Sequence, residues 1–526
     1  MYRVHKAKKK RTILRWNRKE INMKKQAYNP YLPLNVYIPD GEPHVFDGRV
    51  YVFGSHDKEN GDTFCILPYE VWSAPVDDLG NWSCPGIAYR AEQDPLYDRE
   101  TRNAMYAPDC VRGNDGRYYL YYCLSGNRGK GGYSNPISVA VSTKPDGPYE
   151  YLGIVKNPDG MPFLKYANFD PALINDDGII RLYSGTWYPS AEEDEETRCR
   201  NHTDETEAER YGKTPEHIRA LRAAGDAADG PHHMTLADDM MTLTSEPVRV
   251  LPLLRKGTEF ETGPDGKGKG FFEGSSIRKI SGRYYFIYSS RNNHELCYAV
   301  SVSPDRDFTY GGTIVSNGDI GIDGRAPEDR LNITGTTHGS VENINGNWYV
   351  FYHRLTHKSD YSRQGCAEPI EIDETGAIRQ VEITSCGLND GPLEGIGCYP
   401  AVICCNLSNG KMPHTSNQKQ TVFIPYIGSE NGEQMIRDIS DHTLIGYKYF
   451  AFRSLREIVL TVRGNAEGTI RALAGTEADV IGSVSIHPSL SWQELSLPVQ
   501  ETSGTKALYF RYEGEGSFDL LRFELR

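Results

Sequence analysis

The sequence predicts an all-β protein in which a five-bladed β-propeller is followed by a β-sandwich of the jelly-roll kind. Three observations lead to this fold class. The 526 residues include 34 tyrosines, 52 glycines and 30 prolines, a composition that favours strands joined by tight turns. One strand–turn–strand pattern occurs five times before about residue 385. After about residue 395, short strands separated by Gly, Ser and Pro replace that pattern.

The repeated unit is an apolar strand, a turn that ends in glycine, and a second strand rich in Tyr, Val and Phe. Asp-Gly and Asn-Gly turns between such strands are the strongest short-range sign of a β-hairpin. The five turn glycines are Gly48, Gly116, Gly178, Gly282 and Gly346. Successive glycines are 68, 62, 104 and 64 residues apart. Such spacings are much longer than the period of a β-solenoid and suit the four-stranded blades of a propeller.

The long third interval contains an insertion at about residues 189–235, which is rich in Glu, Arg and Ala and is expected to be helical in part. Without the insertion this interval matches the others at about 60 residues. The propeller is then predicted to occupy residues 30–390 and the sandwich residues 395–526. The five blades are expected near residues 35–95, 100–160, 165–255, 268–320 and 333–385.

Residues 1–29 are expected to form a basic, disordered leader. Positions 1–25 carry eleven Lys or Arg and one acid, Glu20, without a periodic apolar face beside the charge. Alternative interpretations are a nucleic-acid or membrane tether, or initiation at Met23. The formal net charge of −13 leaves about −23 on the rest of the chain, which argues against a nucleic-acid partner. No apolar run reaches the length of a membrane span, and no secretory signal is visible.

The eleven cysteines are scattered along the chain and include no CxxC pair. This pattern favours unpaired thiols in a reducing compartment over a disulfide scaffold or a zinc site. We therefore expect a cytoplasmic protein with no membrane partner.

The first strand of each propeller blade lines the central axis, so side chains just before each hairpin converge there. Counting back seven to nine residues from the turn glycines finds one ionisable residue in each blade: Asp40, Asp109, Asp170, Glu273 and His338. Carboxyl groups held together raise one another's pKa, which is unfavourable for stability alone and useful for acid–base catalysis. A single Asp at a strand end more often caps backbone N–H groups. For Asp109 this structural interpretation stays open beside a role in binding substrate.

Five runs, YIPDGEPHVF, YAPDC, NFDPALINDDG, FFEGSS and TTHGSVENINGNWYVFYH, resemble glycoside hydrolase family 43, whose catalytic domain is a five-bladed propeller. The resemblance keeps the order of the motifs and covers about residues 30–385. It implies that Asp40 is a general base, that Asp170 orients and tunes the acid, and that Glu273 is the general acid. The base motif is Pro-Asp-Gly here, whereas the family frequently has Ala-Asp-Pro.

The resemblance also implies inversion at the sugar carbon, a reaction that needs carboxyl groups in different protonation states. One carboxylic acid protonates the leaving oxygen, and a carboxylate ~6.5–9.5 Å away activates water on the opposite face of the sugar. Glu273 must then stay protonated near neutral pH, for which a neighbouring anion such as Asp170 would be useful. Asp40 must stay ionised to take a proton from water.

Several further residues are candidate ligands of a sugar or a metal. His338 matches a family histidine that lies near an axial cation, commonly calcium, or near the sugar, although calcium prefers oxygen ligands. Arg291 either clamps sugar hydroxyls or is a surface charge. Phe169 and Trp187 are candidates for the apolar wall of a sugar pocket, with blade packing as the alternative for Trp187. His353 is expected to be structural, and no organic cofactor is expected.

The C-terminal runs IGYKYFAF, LTVRGNAEGTIRALAG and GSFDLLRFELR resemble the family 6 carbohydrate-binding-module sandwich. Tyr447, Tyr449 and Phe450 are candidates for sugar stacking, but core packing explains them equally well. A structural, lid-like or degenerate module is favoured over a functional one.

The resulting expectation is an exo-acting, inverting glycoside hydrolase on oligosaccharides derived from plant cell walls. An α-L-arabinofuranosidase is favoured, and a β-D-xylosidase or a bifunctional enzyme is the alternative. Exo-galactanase and endo-arabinanase activities are less favoured than either. A non-catalytic sugar-binding propeller is the rival from a different class. Phosphoryl transfer is excluded because no Gly-rich phosphate loop precedes a helix.

Overall fold

The structure is a computed structural model. Most of the regular elements it contains are antiparallel strands, which accords with the predicted all-β class. The predicted leader at positions 1–25 and Trp187 lie outside the described residues. No helix within the described part of the chain is both long and apolar enough to cross a membrane. The structure describes residues 26–99, 103–124, 135–164, 168–186, 203–210, 213–223, 230–251, 260, 268–415 and 419–526.

Five antiparallel sheets form the predicted blades, and each begins with one of the predicted hairpins. The middle three sheets have four strands, whereas the first and fifth have three, and β3 and β5 form a separate two-stranded sheet beside blade one. Blades one and two consist of β1 Glu42–Phe46, β2 Arg49–Phe53, β3 Tyr69–Glu70, β4 Trp72–Pro75, β5 Ile87–Tyr89, β6 Asp109–Arg112, β7 Tyr118–Cys123, β8 Ile137–Ser142 and β9 Glu150–Ile154. Blades three to five consist of β10 Ala172–Asp176, β11 Ile179–Ser184, β12 His232–Leu236, β13 Val248–Arg249, β14 Phe271–Ile280, β15 Arg283–Ser290, β16 Glu295–Ser301, β17 Thr309–Ser316, β18 Ser340–Ile344, β19 Asn347–Leu355 and β20 Arg363–Ile370.

The first strands of the five blades stand side by side around one axis. In order they are β1, β6, β10, β14 and β18, and the ring closes because β18 of the last blade lies beside β1 of the first. The hairpin turns lie at the far end of these strands, and Gly48 and Gly346 adopt φ of 78° and 91° there. Glycine reaches this left-handed region without the steric cost that a Cβ brings, which explains why these turns end in glycine.

The blades pack on one another through aromatic and aliphatic side chains. The cluster between blades two and three includes Tyr121, Leu182 and Met234, each fully buried. Many of the largest buried side chains are tyrosines, whose hydroxyls find protein acceptors, as Tyr121 does on the Met240 carbonyl oxygen at 2.7 Å. The high tyrosine content therefore belongs mainly to the interior of the propeller.

The insertion after β11 is helical where it is described. It contains α1 Asp204–Arg210 and α2 Pro215–Ala223, and Ala208 and Ile218 join the hydrophobic cluster of blades two and three. The insertion ends before the predicted boundary at 235, because β12 pairs with β11 as the third strand of blade three.

The C-terminal domain is a set of antiparallel strands around its own hydrophobic core. Strands β26 and β29 are long and pair along most of their length, with register shifts that bend them around the core. The strands are β21 Leu393–Glu394, β22 Gly397–Pro400, β23 Asn406–Ser408, β24 Tyr426–Glu430, β25 Glu433–Ile439, β26 Leu444–Gly464, β27 Glu467–Ala474, β28 Val480–Ile486, β29 Ser489–Glu515 and β30 Phe518–Leu525.

The aromatic residues that the sequence offered for sugar stacking on this domain are used inside the fold. Tyr447 and Phe450 are fully buried in the sandwich core. The Tyr449 hydroxyl donates to Glu382 of the propeller segment. The packing interpretation therefore holds for Tyr447 and Phe450, and Tyr449 is partly buried against a smaller cluster of the same domain.

Residues 26–29 belong to the folded structure, which corrects the predicted leader boundary at 29. Asn29 is fully buried, and its Nδ2 donates to the Ala367 carbonyl oxygen and to Glu368 Oε1, both at 2.9 Å. Gln26 Nε2 donates to the Tyr399 hydroxyl at 3.0 Å. This segment ties the start of the propeller to blade five and to the sandwich, so it cannot behave as a free tail.

A buried ion-pair network also joins the two domains. Lys448 Nζ of the sandwich lies 3.0 Å from Asp319 Oδ2 and 3.0 Å from Glu382 Oε2 of the propeller segment. Asn406 Nδ2 donates to the same Asp319 oxygen at 3.0 Å. Because buried charges need partners, this network makes the two domains interdependent at the side next to blade four.

Candidate active site

Four ionisable side chains meet where the inner strands begin. Asp40, Asp170 and His338 each lie two residues before an inner strand, and Glu273 is the third residue of β14. His338 Nδ1 is 4.0 Å from Asp40 Oδ1 and 4.0 Å from Asp170 Oδ2. Asp40 and Asp170 are buried, whereas Glu273 keeps partial exposure. Such a buried cluster, open at one carboxyl group, has the composition of an acid–base site.

The two aspartates adopt backbone conformations that side-chain-bearing residues seldom use. Asp40 has φ of 58° and Asp170 has φ of 46°, both in the left-handed region. Asp visits this region more readily than most residues, but the conformation still carries a cost. In both blades it occurs at the same place, just before the inner strand, where it turns the carboxylate toward the axis.

A β-bulge positions Glu273. The pairing of β14 with β15 shifts register on both sides of Glu273, which pairs with Ser289. Gly274 follows with φ of 74°, and its N–H donates to Asp170 Oδ2 at 2.8 Å. A Cβ on Gly274 would lie 3.1 Å from the His338 ring. Glycine therefore allows this close packing and links the Glu273 backbone to Asp170.

An arginine that the sequence analysis missed holds Asp40. Arg363, the first residue of β20, donates from Nη1 to Asp40 Oδ1 at 2.9 Å. Its Nε and Nη2 donate to the two oxygens of buried Asp57 at 2.8 and 3.0 Å. The Arg363 guanidinium also lies over the half-buried Phe64 ring, 4.7 Å from its centroid. The available signal was an Arg at the start of a predicted blade-five strand, because a buried guanidinium needs acids nearby.

His353 stands directly behind Asp40. Its Nε2 donates to the Thr336 carbonyl oxygen at 2.9 Å, which leaves Nδ1 to accept the Asp40 backbone N–H at 3.2 Å. The expected structural role of His353 therefore consists in holding the backbone of Asp40 itself.

The three carboxyl groups differ in pKa because their surroundings differ. Burial opposes the charged form of Asp40, but the adjacent Arg363 guanidinium holds the pKa of Asp40 well below its ordinary value. Burial, followed by the charges of Glu273 and Asp40, raises the pKa of Asp170 well above its ordinary value. Burial and the charge of Asp40 raise the pKa of Glu273 to about 7. Asp40 therefore acts on Glu273 in addition to Asp170, which the sequence analysis had expected and whose own pKa the Glu273 charge raises.

His338 also faces an acid deeper along the axis. Its Nε2 is 3.9 Å from Glu42 Oε1, and both atoms lack a hydrogen-bond partner among the described residues. Arg278 Nη2 donates to the other Glu42 oxygen at 3.1 Å. Burial lowers the pKa of His338 to about 4, so its ring is neutral at neutral pH. The Glu42 oxygen is the kind of ligand that calcium prefers, and the His338 ring lies beside it.

Asp109 does not belong with the catalytic cluster, which corrects its assignment as a substrate ligand. It has no exposed surface, and its oxygens accept from His44 Nε2 and from the Leu173 N–H, both at 2.6 Å. Asp109 is the first residue of β6, and the position two residues before that strand is Ala107. Asp109 therefore lies deeper along the axis and joins blades one, two and three.

The remaining candidates are placed as follows. Phe169 is buried in the cluster between blades two and three and contacts Tyr106 edge-on, with ring centroids 5.0 Å apart. Arg291 follows β15 on the side of Glu273, and its N–H donates to the Gly270 carbonyl oxygen at 3.1 Å. Burial lowers the pKa of Arg291. Sugar contacts by Phe169, Trp187 and Arg291 stay predictions.

Comparison with known proteins agrees with this geometry. The model of the glycosyl hydrolases family 43 matches residues 38–247. A xylosidase/arabinosidase from Thermoclostridium stercorarium is 39% identical over 96% of this chain and 99% of its own length. Xylosidase/arabinosidase 43A from Humicola insolens is 32% identical over 65% of this chain and 96% of its own length.

Among solved structures, the GH43_1 enzyme from Xanthomonas citri complexed with xylose has a TM-score of 0.50 at 25% identity. That match covers 68% of this chain and 94% of the other. The likeness to the T. stercorarium protein runs through both domains and nearly the whole of that relative. This chain therefore belongs to glycoside hydrolase family 43 and is a glycoside hydrolase.

Proposed function

We propose that this protein is an exo-acting, inverting glycosidase that removes terminal α-L-arabinofuranosyl and β-D-xylosyl residues from oligosaccharides. The observation that carries the proposal is the contrast between two carboxyl groups in one cluster. Arg363 holds the pKa of Asp40 well below its ordinary value, whereas burial and the charge of Asp40 raise the pKa of Glu273 to about 7, so Asp40 favours the charged form and Glu273 the protonated form. The two relatives above are both named for xylosidase and arabinosidase activity, which supports both sugars over the arabinosyl unit alone.

In the proposed reaction, Glu273 gives its proton to the oxygen that leaves the sugar. Asp40 takes a proton from the water that attacks the anomeric carbon from the opposite face. The carbon–oxygen bond breaks as the new one forms, so the configuration inverts. Asp170 accepts the Gly274 N–H and thereby holds the bulge that carries Glu273.

The test is hydrolysis of 4-nitrophenyl α-L-arabinofuranoside and 4-nitrophenyl β-D-xylopyranoside side by side, with the anomeric form of the released sugar followed by NMR. We expect turnover of both glycosides and an inverted first product. Retention of configuration would contradict the assignment of Asp40 as a base. Sugar binding without turnover of either glycoside, or of xylo- and arabino-oligosaccharides, would instead indicate a sugar-binding propeller.

We also propose that the substrates are short oligosaccharides met in the cytoplasm. The ten cysteines in the described part of the chain are all unpaired, which suits a reducing compartment.

We further propose that a calcium ion binds on the propeller axis between Glu42 and His338. Glu42 Oε1 faces His338 and has no hydrogen-bond donor among the described residues. Burial raises the pKa of Glu42 to about 8, although the charge of Arg278 opposes this rise. When bound, the ion would supply positive charge that holds Glu42 ionised and fixes the His338 ring beneath the acid cluster.

Calcium titrated into chelator-treated protein is expected to bind at one site and to raise the melting temperature. In Glu42→Gln the rise in melting temperature should disappear, because the amide supplies no charge to the ion. Glu328→Gln, at an exposed acid, should behave as the unmodified protein. If calcium gives neither heat of binding nor a shift in melting temperature, this part of the proposal is wrong.

A further inference from the structure

The sandwich domain contacts the propeller next to the cluster that contains Asp40. The contact is made by the β24–β25 hairpin, whose Gln434 is buried. Gln434 Nε2 donates to the Tyr37 hydroxyl at 2.9 Å and to Glu59 Oε1 at 3.3 Å. One amide of the sandwich therefore joins two separate segments of blade one.

Both segments lead directly to the base. Tyr37 lies three residues before Asp40, and its carbonyl oxygen accepts the Asp57 N–H at 2.9 Å. Glu59 lies two residues after Asp57, the acid that holds Arg363 through two hydrogen bonds. A shift of either segment would therefore move the Arg363 guanidinium relative to Asp40.

Blade five is held by the same hairpin. His357 Nε2 lies 3.3 Å from Glu59 Oε1 and 3.3 Å from the Tyr37 hydroxyl. In addition, the Ile427 N–H of β24 donates to the Thr356 carbonyl oxygen at 2.9 Å. The loop at residues 356–362 ends at Arg363. The hairpin therefore supports Arg363 through this loop, and Asp57 holds the guanidinium of Arg363 directly.

A second pair of contacts closes these two loops on each other. The Asn60 N–H donates to Ser362 Oγ at 2.7 Å, and Ser359 Oγ donates to the Gly61 carbonyl oxygen at 3.0 Å. Lys358 Nζ pairs with Asp438 Oδ2 of β25 at 2.9 Å. These loops are long connections without strands of their own, so they depend on such contacts for a fixed position.

We propose that Gln434 is a positioning residue for the catalytic base, which makes the β24–β25 hairpin of the sandwich a working part of the active site. The inference rests on the proposed function, since it takes Asp40 as the base. Gln434 acts through Tyr37 and Glu59 on Asp57 and Arg363, and it does not touch the sugar. The sandwich thus serves catalysis by support, with no requirement that it bind carbohydrate.

The test compares Gln434→Met, which keeps the volume but removes the donor, with Gln434→Lys, which keeps a donor facing Glu59. Lys448→Met is the matched control, because it breaks a contact between the same two domains away from Asp40. We expect Gln434→Met to lower kcat about tenfold on both an aryl xyloside and xylobiose, with KM within about twofold. Water activation is common to both substrates, so the two losses should be equal. Gln434→Lys should recover most of kcat, and Lys448→Met should lower the melting temperature with kcat within about twofold.

Hydrogen exchange gives a readout that does not depend on turnover. In Gln434→Met, backbone amides at 36–42 and 55–65 are expected to exchange faster than in Lys448→Met. The inference is overturned if Gln434→Met keeps kcat and these protections, or if kcat falls in all three variants in proportion to melting temperature. Absence of turnover in the unmodified protein would overturn the proposed function, and the exchange comparison would still decide whether Gln434 holds these segments.

Discussion

Glu273→Ala is expected to abolish most hydrolysis of substrates with poor leaving groups, such as xylobiose, while sparing aryl glycosides with activated leaving groups. A general acid contributes about 10²–10⁴-fold when the leaving oxygen needs a proton. A dinitrophenolate leaves without one, so its loss should be about tenfold or less. Steady-state kcat/KM on the two substrates measures the difference, and equal losses would contradict the role of Glu273.

The pH profile gives a second view of the same residue. Because burial and Asp40 raise the pKa of Glu273 to about 7, kcat/KM for xylobiose should fall as pH rises through about 7, where the acid loses its proton. When both profiles are measured with 4-nitrophenyl β-D-xylopyranoside, this basic limb should be present in the unmodified protein and missing in Glu273→Ala. Glu374→Ala, at an exposed acid on the other side of blade five, should retain the limb and the full rate. A basic limb that persists in Glu273→Ala would assign it to another group.

Asp40→Ala is expected to lower kcat on both kinds of substrate by the same factor, about 10²–10⁴-fold. The reason is that the attacking water must be activated whichever leaving group departs. Arg363 keeps its two hydrogen bonds to Asp57 in this variant, so the loops beside Asp40 should stay in place. The measurement is kcat on xylobiose and on the dinitrophenyl xyloside at one pH.

Circular dichroism and melting temperature are the controls for folding in the Asp40 variant. Asp40→Asn, which keeps the shape but loses the charge, should be as inactive as Asp40→Ala. Turnover within tenfold of the unmodified protein in either variant would rule out Asp40 as the base. A loss confined to xylobiose would instead identify Asp40 with leaving-group protonation.

The fold was accessible to sequence reasoning because local patterns encode it. Each turn glycine closes a hairpin between adjacent strands, and five such hairpins at similar spacing require a repeated sheet. Asp40, Asp170 and Glu273 were found for the same reason, since each lies eight or nine residues before its own turn glycine. Asp109, seven residues before Gly116, is the first residue of β6, so it lies deeper along the axis than Asp40 and Asp170, which precede their strands by two residues.

Properties of the site that depend on residues far apart in the chain could not be predicted from the sequence. Arg363 and Asp57 are 306 residues apart in the chain, and the pKa of Asp40 follows from their meeting. Gln434 acts across a still longer interval, from a different domain. The effect of Asp40 on the pKa of Glu273 was also not foreseen, because it depends on how the blades pack and not on spacing along the chain.

The sequence alone determined the blade repeat, the two-domain order and the acids near the beginning of three inner strands, since turn chemistry and strand alternation act over a few residues. The tertiary structure decided which acid is charged, which is protonated and what supports them. Those properties depend on burial and on charges that come from distant parts of the chain. These groups meet only when the ring of blades has closed and the sandwich has docked on it.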